Sequence, residues 1–285
     1  MVKPEWIEIS DELFQKIGKV ITESYGIKMS PDKKIMFQAR MQRRLHELKI
    51  KSFDEYALNF FMNNNDSDEL KVIADLISTN KTDFFRENEH FQFISNHFLP
   101  EYLSVKKAVA GQTIRIWSAG CSSGQEAYSI GITLEEYLRT KKQLFQYSIL
   151  ATDISERMLK SAKLAIYPDS AVDGIPLELK HRYFLKSKDI TDPKVRVIKE
   201  LRDKVHVAYL NLMNDCYSNG PKFDIIFLRN TLIYFETRTQ HDVLRKVLAD
   251  LNTGGYLFIG HSESLINLQL PILSVAPSIY VKINN

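Results

Sequence analysis

Near residue 112 the chain changes texture, and that change limits the folds open to it. Before it, apolar residues recur at spacings of three and four with few glycines, the pattern of amphipathic helices. After it, short apolar and β-branched runs alternate with helical stretches. Strands are expected at 114–118, 147–152, 205–210, 223–228, 256–260 and 278–283, with helices at 124–139, 155–163 and 237–251. Such alternation predicts an α/β fold, a mostly parallel sheet with helices on both faces. Residues 1–105 are therefore expected as an all-α N-terminal domain and 106–285 as the α/β domain. The stretch 181–204 breaks the rhythm. Its "VRVIKEL" is short and alternating, which predicts a small antiparallel β insertion.

In the helical part, "SDELFQKIGKVITESYG" opens with Ser10 as an N-cap and closes at Gly26 as a C′ residue. In "SPDKKIMFQARMQRRLHEL", Phe37, Met41, Leu45 and Leu48 form one apolar stripe. Lys33, Arg40, Arg43 and Arg44 fall away from it, and positions 40, 43 and 44 are neighbours on one helix face. This basic ridge is a candidate contact for an acidic protein surface; an ordinary solvated face is the alternative.

The net charge of +3 is near balance, so bulk charge gives no reason to expect nucleic acid. No apolar run approaches the roughly 20 residues of a membrane helix, so no membrane insertion is expected. The opening "MVKPEWIEISDELF" has early charge and no apolar core, so no secretory signal is expected and the setting is cytoplasmic. The two cysteines, Cys121 and Cys216, are too few for a disulfide framework. The spacing of histidines, cysteines and carboxylates indicates no metal site.

The first expected strand runs into "IRIWSAGCSSGQEAYSI" (114–130). Gly120 and Gly124 are spaced wrongly for a dinucleotide GxGxxG loop. The loop ends Gly124-Gln125-Glu126, where a phosphate-binding loop shows Gly-Lys-Ser/Thr. An acid at a helix start suits the helix dipole and repels phosphate. The loop therefore fits a phosphate-free ligand carrying positive charge. S-adenosylmethionine, with a sulfonium and an ammonium, meets that description, and a merely tight turn is the alternative. The next strand ends in Asp153, placed to accept both ribose hydroxyls of a nucleoside or, alternatively, to cap the following helix. "FDIIFLRNTLIYF" puts Arg229 and Asn230 just past an apolar strand, with Tyr234 following. Their alternatives are a structural polar network and a core aromatic. Cys121 reads as a small loop residue rather than a nucleophile, and His261 as a packed or hydrogen-bonded residue at a strand end.

Six segments now carry a resemblance: "TNKTDFFRE" (79–87), "WSAGCSSGQEAYSI", "ATDIS", "NL" (211–212), "RNTLIYF" (229–235) and "GHSES" (260–264). In order and spacing they resemble the CheR family of chemotaxis receptor methyltransferases, which methylate glutamate side chains using S-adenosylmethionine. The resemblance implies a class I, Rossmann-like methyltransferase domain following an all-α domain. It implies cofactor contacts from Asn80, Thr82, Arg86, Glu126, Asp153, Asn211, Leu212, Arg229 and Asn230, with Gly120 in the loop beside them. The partner implied is the cytoplasmic helical domain of chemotaxis receptors, and the coproduct is S-adenosylhomocysteine. "KSKDITDPKVR" lacks the glycine-rich loop of relatives that dock a receptor's C-terminal peptide, so such tethering is not expected. Gln125 and Ala127 depart from the family's usual acid and proline.

A glutamate side chain has a reference pKa near 4.3, so this nucleophile is an anion at neutral pH and needs no general base. Arg86 is the candidate that orients the substrate carboxylate by bidentate pairing. Tyr234 is the candidate wall beside the methyl group. Two alternatives stay open: a methyltransferase of the same fold with another protein or small-molecule substrate, and a non-catalytic S-adenosylmethionine-binding scaffold.

Overall fold

The computed structural model describes residues 6–62, 67–106, 113–142, 145–217, 220–265 and 268–284; residues 1–5 of the stretch expected to lack a secretory signal lie outside these. The chain divides into two compact units. The first is Met1–Thr79 with Asn211–Met213 and Tyr234–Gln240; the second is Asn80–Leu210, Asn214–Ile233 and His241–Asn285.

The first unit is helical. Helix α1 (Asp11–Tyr25) starts where the Ser10 hydroxyl accepts the Leu13 N–H, satisfying one of the helix's unpaired donors. It stops at Gly26, left-handed at φ 71°, where a Cβ would stand 2.5 Å from the Phe235 ring. A 3₁₀ turn (Pro31–Lys33) leads into α2 (Lys34–Leu48). After it come α3 (Phe53–Ala57), a π turn (Leu58–Met62) and α4 (Ser67–Ile77). Phe37, Met41 and Leu45 are fully buried with Phe14, Ile17, Phe53 and Ile73, whereas Leu48 is only half-buried.

The basic ridge on α2 is largely consumed within this unit. Arg40 Nη1 donates to the carbonyls of Leu76, Ile77 and Ser78, covering acceptors that the end of α4 leaves without partners. Arg44 pairs with buried Glu69, which also accepts the Tyr56 hydroxyl. Lys33 donates to the Lys28 carbonyl at 2.6 Å. Only Arg43 keeps its charge in solvent, its side chain 86% exposed and paired with Glu47 one turn on. A three-four spacing shows that these residues neighbour one another; it does not show that α4 and its carbonyls pack against them.

The second unit begins with α5 (Glu89–Phe93), a π turn (Ile94–Phe98) and α6 (Leu99–Lys106). Phe91, Ile94, Phe98 and Leu99 enter the same core as Ile116, Phe227 and Phe258. The division between units therefore falls at Thr79/Asn80, not at the expected 105/106. The rest follows as β1 (Thr113–Ala119), α7 (Gln125–Lys141), β2 (Gln146–Asp153), α8 (Glu156–Leu164), β3 (Ile166–Pro168), α9 (Leu177–Tyr183), β4 (Phe184–Lys186), β5 (Lys194–Val197), α10 (Lys199–Arg202), β6 (Val205–Tyr209), β7 (Phe223–Leu228), α11 (Thr237–Ala249), β8 (Leu251–Ile259), β9 (Ile272–Ala276) and β10 (Ile279–Lys282).

The main sheet has the order β6-β2-β1-β7-β8-β10-β9. Strands β6, β2, β1, β7 and β8 are parallel, and β10 and β9 close the edge antiparallel. Strand β7 reads FDIIFL and is buried throughout, as a central parallel strand must be. Strand order reverses between β1 and β7, and open α/β sheets bind ligands beyond the carboxyl ends of the strands at such a point. The small sheet β3-β5-β4 is antiparallel and starts at Ile166, ahead of the expected 181. Strand β3 has three residues and no readable period. Strand β9 also carries little signal, because it is an edge whose Leu273 is 58% exposed.

Glu136 on α7 fastens the insertion to the sheet layer. It accepts from the Tyr183 hydroxyl at 2.7 Å and from Arg139 at 2.8 Å, and pairs with Arg182. Burial pushes its carboxyl up, but these donors and the Arg182 charge outweigh that and hold it down at about 2. A carboxyl lowered in the native state contributes stability that is full above its ordinary pKa and fades as pH falls toward the native value. Chemical unfolding between pH 5 and 2 is expected to show Glu136→Gln with a shallower loss of stability than the parent. At neutral pH the variant is expected to be less stable by roughly 1–2 kcal/mol.

Candidate functional site

The loop after β1 is shaped first by the protein's own backbone. The Gly120 and Cys121 N–H groups both donate to the Thr152 carbonyl, at 2.8 and 2.9 Å. Gly120 is left-handed at φ 79°, and a Cβ there would lie 2.5 Å from Thr231 Oγ1 in the loop after β7. Gly124 is left-handed at φ 95°, and its Cβ would meet Ala162 Cβ on α8 at 2.9 Å. Both glycines thus answer to protein atoms before any ligand. Gln125 is buried and accepts from the Ser123 hydroxyl at 2.8 Å, so it serves the loop's internal bonding.

Asp153, at the end of β2, is buried and braces this loop. Its Oδ2 accepts the Ser122 N–H at 2.8 Å and its Oδ1 the Ser155 N–H at 2.9 Å. The cap of α8 is Ser155, whose hydroxyl accepts the Met158 N–H, so Asp153 is not the capping residue. The Ser122 hydroxyl donates to the Asn80 carbonyl at 2.9 Å, drawing the 80–87 segment to the same loop. Cys121 is buried beside Asp153 and Glu126, and burial and those charges push its thiol far above the usual range. It is no thiolate nucleophile.

Past β7, Arg229 is 6% exposed, and its Nε faces two carboxylates, Glu87 Oε2 and Glu126 Oε2, each at 3.4 Å. Its Nη2 donates to the Arg86 carbonyl. Glu126, in the first turn of α7, accepts the Ser118 hydroxyl at 2.6 Å. Burial raises its carboxyl pKa, and the Arg229 charge and the Ser118 bond offset this only partly. Arg229 Nε and Nη1 and Glu87 Oε2 are buried without a hydrogen-bond partner. Arg86 Nη1 donates to the Lys81 carbonyl at 3.0 Å, and Thr82 is half-buried on the same segment. Phe85 and Glu87 are left-handed at φ 54° and 55°, a conformation that costs a non-glycine residue roughly 1–2 kcal/mol.

Glu263, in the quoted "GHSES" but given no role from sequence, holds the loop that carries Arg229 and Asn230. Its carboxylate accepts the N–H groups of Gly260 (2.7 Å), Asn230 (2.8 Å), Leu232 (2.7 Å) and Ile233 (3.3 Å). Asn230 is left-handed at φ 54°, and Gly260 makes room for its side chain. Spacing alone could not show that the residue three after Gly260 folds back over β7.

Asn211, Leu212 and Tyr234 belong to the first unit. Asn211 Nδ2 donates to the Ser24 carbonyl and its Oδ1 accepts the Met213 N–H; Leu212 is buried. The Tyr234 hydroxyl donates to the Thr79 carbonyl at 3.2 Å, and its own carbonyl accepts the Lys28 N–H. His261 is exposed and sets its ring edge against buried His90. Although the sequence indicates no metal site, the fold gathers Glu87, His90 and His261 with one ligand atom of each within 4.8 Å of the others. Burial, then the charges of Arg229 and His261, push His90 down to about 3, which keeps its ring neutral.

These groups suit S-adenosylmethionine. The unpartnered N–H groups of Arg229 match an anionic carboxylate, while Glu126 and Asp153 supply negative charge for cationic and hydroxyl groups. No lysine stands in the 120–126 loop to meet a phosphate. Comparison with known proteins agrees. Residues 80–277 match the model of the CheR methyltransferase, SAM binding domain, and residues 12–77 match the CheR methyltransferase, all-alpha domain. The chain is similar to the "Chemotaxis protein methyltransferase" of Borreliella burgdorferi, 37% identical over 91% of this chain and 90% of the relative. It is similar to that of Escherichia coli at 34% over 93% and 88%. It also resembles "Chemotaxis protein methyltransferase 2" of Pseudomonas aeruginosa, at 33% over 94% and 92%. With a model matching each part of the chain and relatives aligned over most of it, the chain belongs to the CheR methyltransferase family, whose α/β part binds S-adenosylmethionine.

Proposed function

We propose that the protein transfers the methyl group of S-adenosylmethionine to glutamate side-chain carboxylates of chemotaxis receptors, releasing S-adenosylhomocysteine. The observation that carries this is the buried Glu87–Arg229–Glu126 cluster at the sheet's switch point, in a family whose relatives are named chemotaxis methyltransferases. The cofactor supplies a methyl group made electrophilic by its sulfonium; the chain supplies position and electrostatics. In the second unit, Arg229 takes a carboxylate, Glu126 a cationic centre and Asp153 ribose hydroxyls. We assign Asn80, Thr82, Gly120 and Asn230 to the same cofactor site. Asp153 keeps its two backbone N–H bonds while doing so, since each carboxylate oxygen has a second lone pair. Asn211 and Leu212 keep the cofactor-contact role that the family resemblance implies, and Tyr234 is the candidate wall beside the methyl group.

The nucleophile is already ionised at neutral pH, so no proton need be removed. The ionisable groups fit that demand. Neutral His90 and the raised thiol of Cys121 are poor bases near pH 7. What remains is alignment of oxygen, methyl carbon and sulfur, and exclusion of water, with positioning worth roughly 7–11 kcal/mol in good cases. Arg86 keeps part of its guanidinium bonded to Lys81 and offers the remainder to the substrate carboxylate.

Transfer of labelled methyl to a receptor cytoplasmic fragment is expected to give a base-labile ester. Cofactor binding without transfer would leave a regulatory scaffold, and label on a soluble protein other than a receptor would change the substrate. Arg86→Lys keeps the charge but loses the fork. It is expected to lower turnover about ten- to a hundredfold, the worth of a charge-assisted bond of roughly 1.5–3 kcal/mol. Unchanged turnover would remove Arg86 from the substrate.

For the receptor, the exposed cation of the ridge on α2 is Arg43. Arg43→Glu is expected to raise the receptor KM several-fold at low salt, with the effect shrinking as salt is added. Arg40→Ala should act differently, lowering stability by about 1–3 kcal/mol through the uncapped α4 carbonyls. Thermal unfolding and steady-state kinetics of the two variants separate recognition from folding.

A further inference from the structure

We propose that Glu87, His90 and His261 form a binding site for a divalent transition ion of the zinc class. The observation that points to a ligand is His90. Its side chain is fully buried, and both ring nitrogens lack a hydrogen-bond partner. Buried polar atoms are seldom left so unless something outside the chain meets them. The ring is instead set among other rings, edge-on to Phe258 at 5.4 Å and to His261 at 5.2 Å. Its Nδ1 lies 3.7 Å from Glu87 Oε2, which also has no hydrogen-bond partner.

The geometry is close to what such an ion asks. Ligand atoms about 2.0–2.2 Å from a tetrahedral zinc ion stand about 3.4 Å from one another. The Glu87–His90 separation is already near that, and one ligand atom from each of the three residues falls within 4.8 Å of the others. The remaining closure falls to His261, which is exposed and sets its ring edge against His90. Two imidazoles and one carboxylate favour zinc, cobalt or nickel over magnesium or calcium, which prefer oxygen cages. Three protein ligands leave a fourth position open to water.

The neighbouring cation is Arg229, whose Nε is 3.4 Å from Glu87 Oε2. It does not close the site, because Glu126 offers the same nitrogen a second carboxylate at the same distance. An ion held by Glu87 takes that carboxylate's charge away from the guanidinium and leaves Glu126 as its counter-ion. No other group of three His, Cys, Asp or Glu side chains with this spacing occurs among the described residues.

The test uses the full chain freed of metal by a chelator and titrated with Co²⁺, Zn²⁺ and Mg²⁺, followed by calorimetry and visible absorption. Expected are one equivalent of Co²⁺ with the intense visible bands of a four-coordinate ion, its displacement by Zn²⁺, and no response to Mg²⁺. His261→Ala should weaken Co²⁺ binding at least tenfold while circular dichroism shows an intact fold. His261→Cys should retain binding and add a thiolate-to-cobalt charge-transfer band. If the parent chain binds no Co²⁺, or His261→Ala binds it as tightly as the parent, the site does not exist and His90 is a packed core ring.

Discussion

A guanidinium taken out of water must be met by charge, and Arg229 organises the ligand-facing end of the second unit on that account. Leaving such a group without a partner costs about 3–5 kcal/mol. Its carboxylates come from two separate elements, Glu87 from the segment before α5 and Glu126 from the first turn of α7. Satisfying one side chain thus ties the 80–87 segment, the loop after β1 and the end of β7 to one another. The left-handed backbone at Phe85 and Glu87 is the local strain that brings the first carboxylate in. Glu263 fixes the other side by binding four N–H groups around the loop that presents Arg229.

The sequence made the second unit legible because its strands are central and parallel. Phe223–Leu228 is buried along its whole length and Thr113–Ala119 over most of it, and such predominantly apolar runs leave little choice of structure. What escaped lacks that constraint. Strand β3 is three residues long, and β9 is an edge strand with exposed apolar residues. Although the chain from 79 to 88 is loop and turn, the helical pattern expected before residue 112 holds over α5 and α6. Their allegiance to the sheet core is carried by Phe91, Ile94 and Phe98, residues equally at home in an all-α domain.

Site residues divide in the same way. Motif order located Asp153, Glu126 and Arg229 at strand and helix ends, because backbone geometry puts them there. It could not reveal which of their bonds are internal. Gly120 and Gly124 look like openings for a ligand, yet a side chain at either would first strike Thr231 or Ala162. Arg40 and Arg44 look like part of a docking face, yet their charges are spent on α4 carbonyls and on Glu69. Helical spacing reports neighbours on one helix, whereas the use of a charge depends on what packs across from it. Glu87 and His90 illustrate the converse, since no local pattern announces that His261 will fold against them.

Glu126 connects these strands of reasoning. A buried carboxylate with a raised pKa is an unfavourable thing to keep ionised, and Arg229 beside it relieves the cost only in part. Were Glu126 only a structural partner for Arg229, complete pairing would be the economical arrangement. Here Arg229 Nε lies 3.4 Å from two carboxylates, with no hydrogen bond to either, while Nη1 has no partner at all. An incompletely matched set of opposite charges at a switch point is poorly suited to stability alone and well suited to a zwitterion. S-adenosylmethionine carries an ammonium and a carboxylate on one carbon, so it can complete both halves of the set at once. The same preorganised charges repel a phosphate at Glu126, and a loop of this shape without lysine suits a nucleoside that has none.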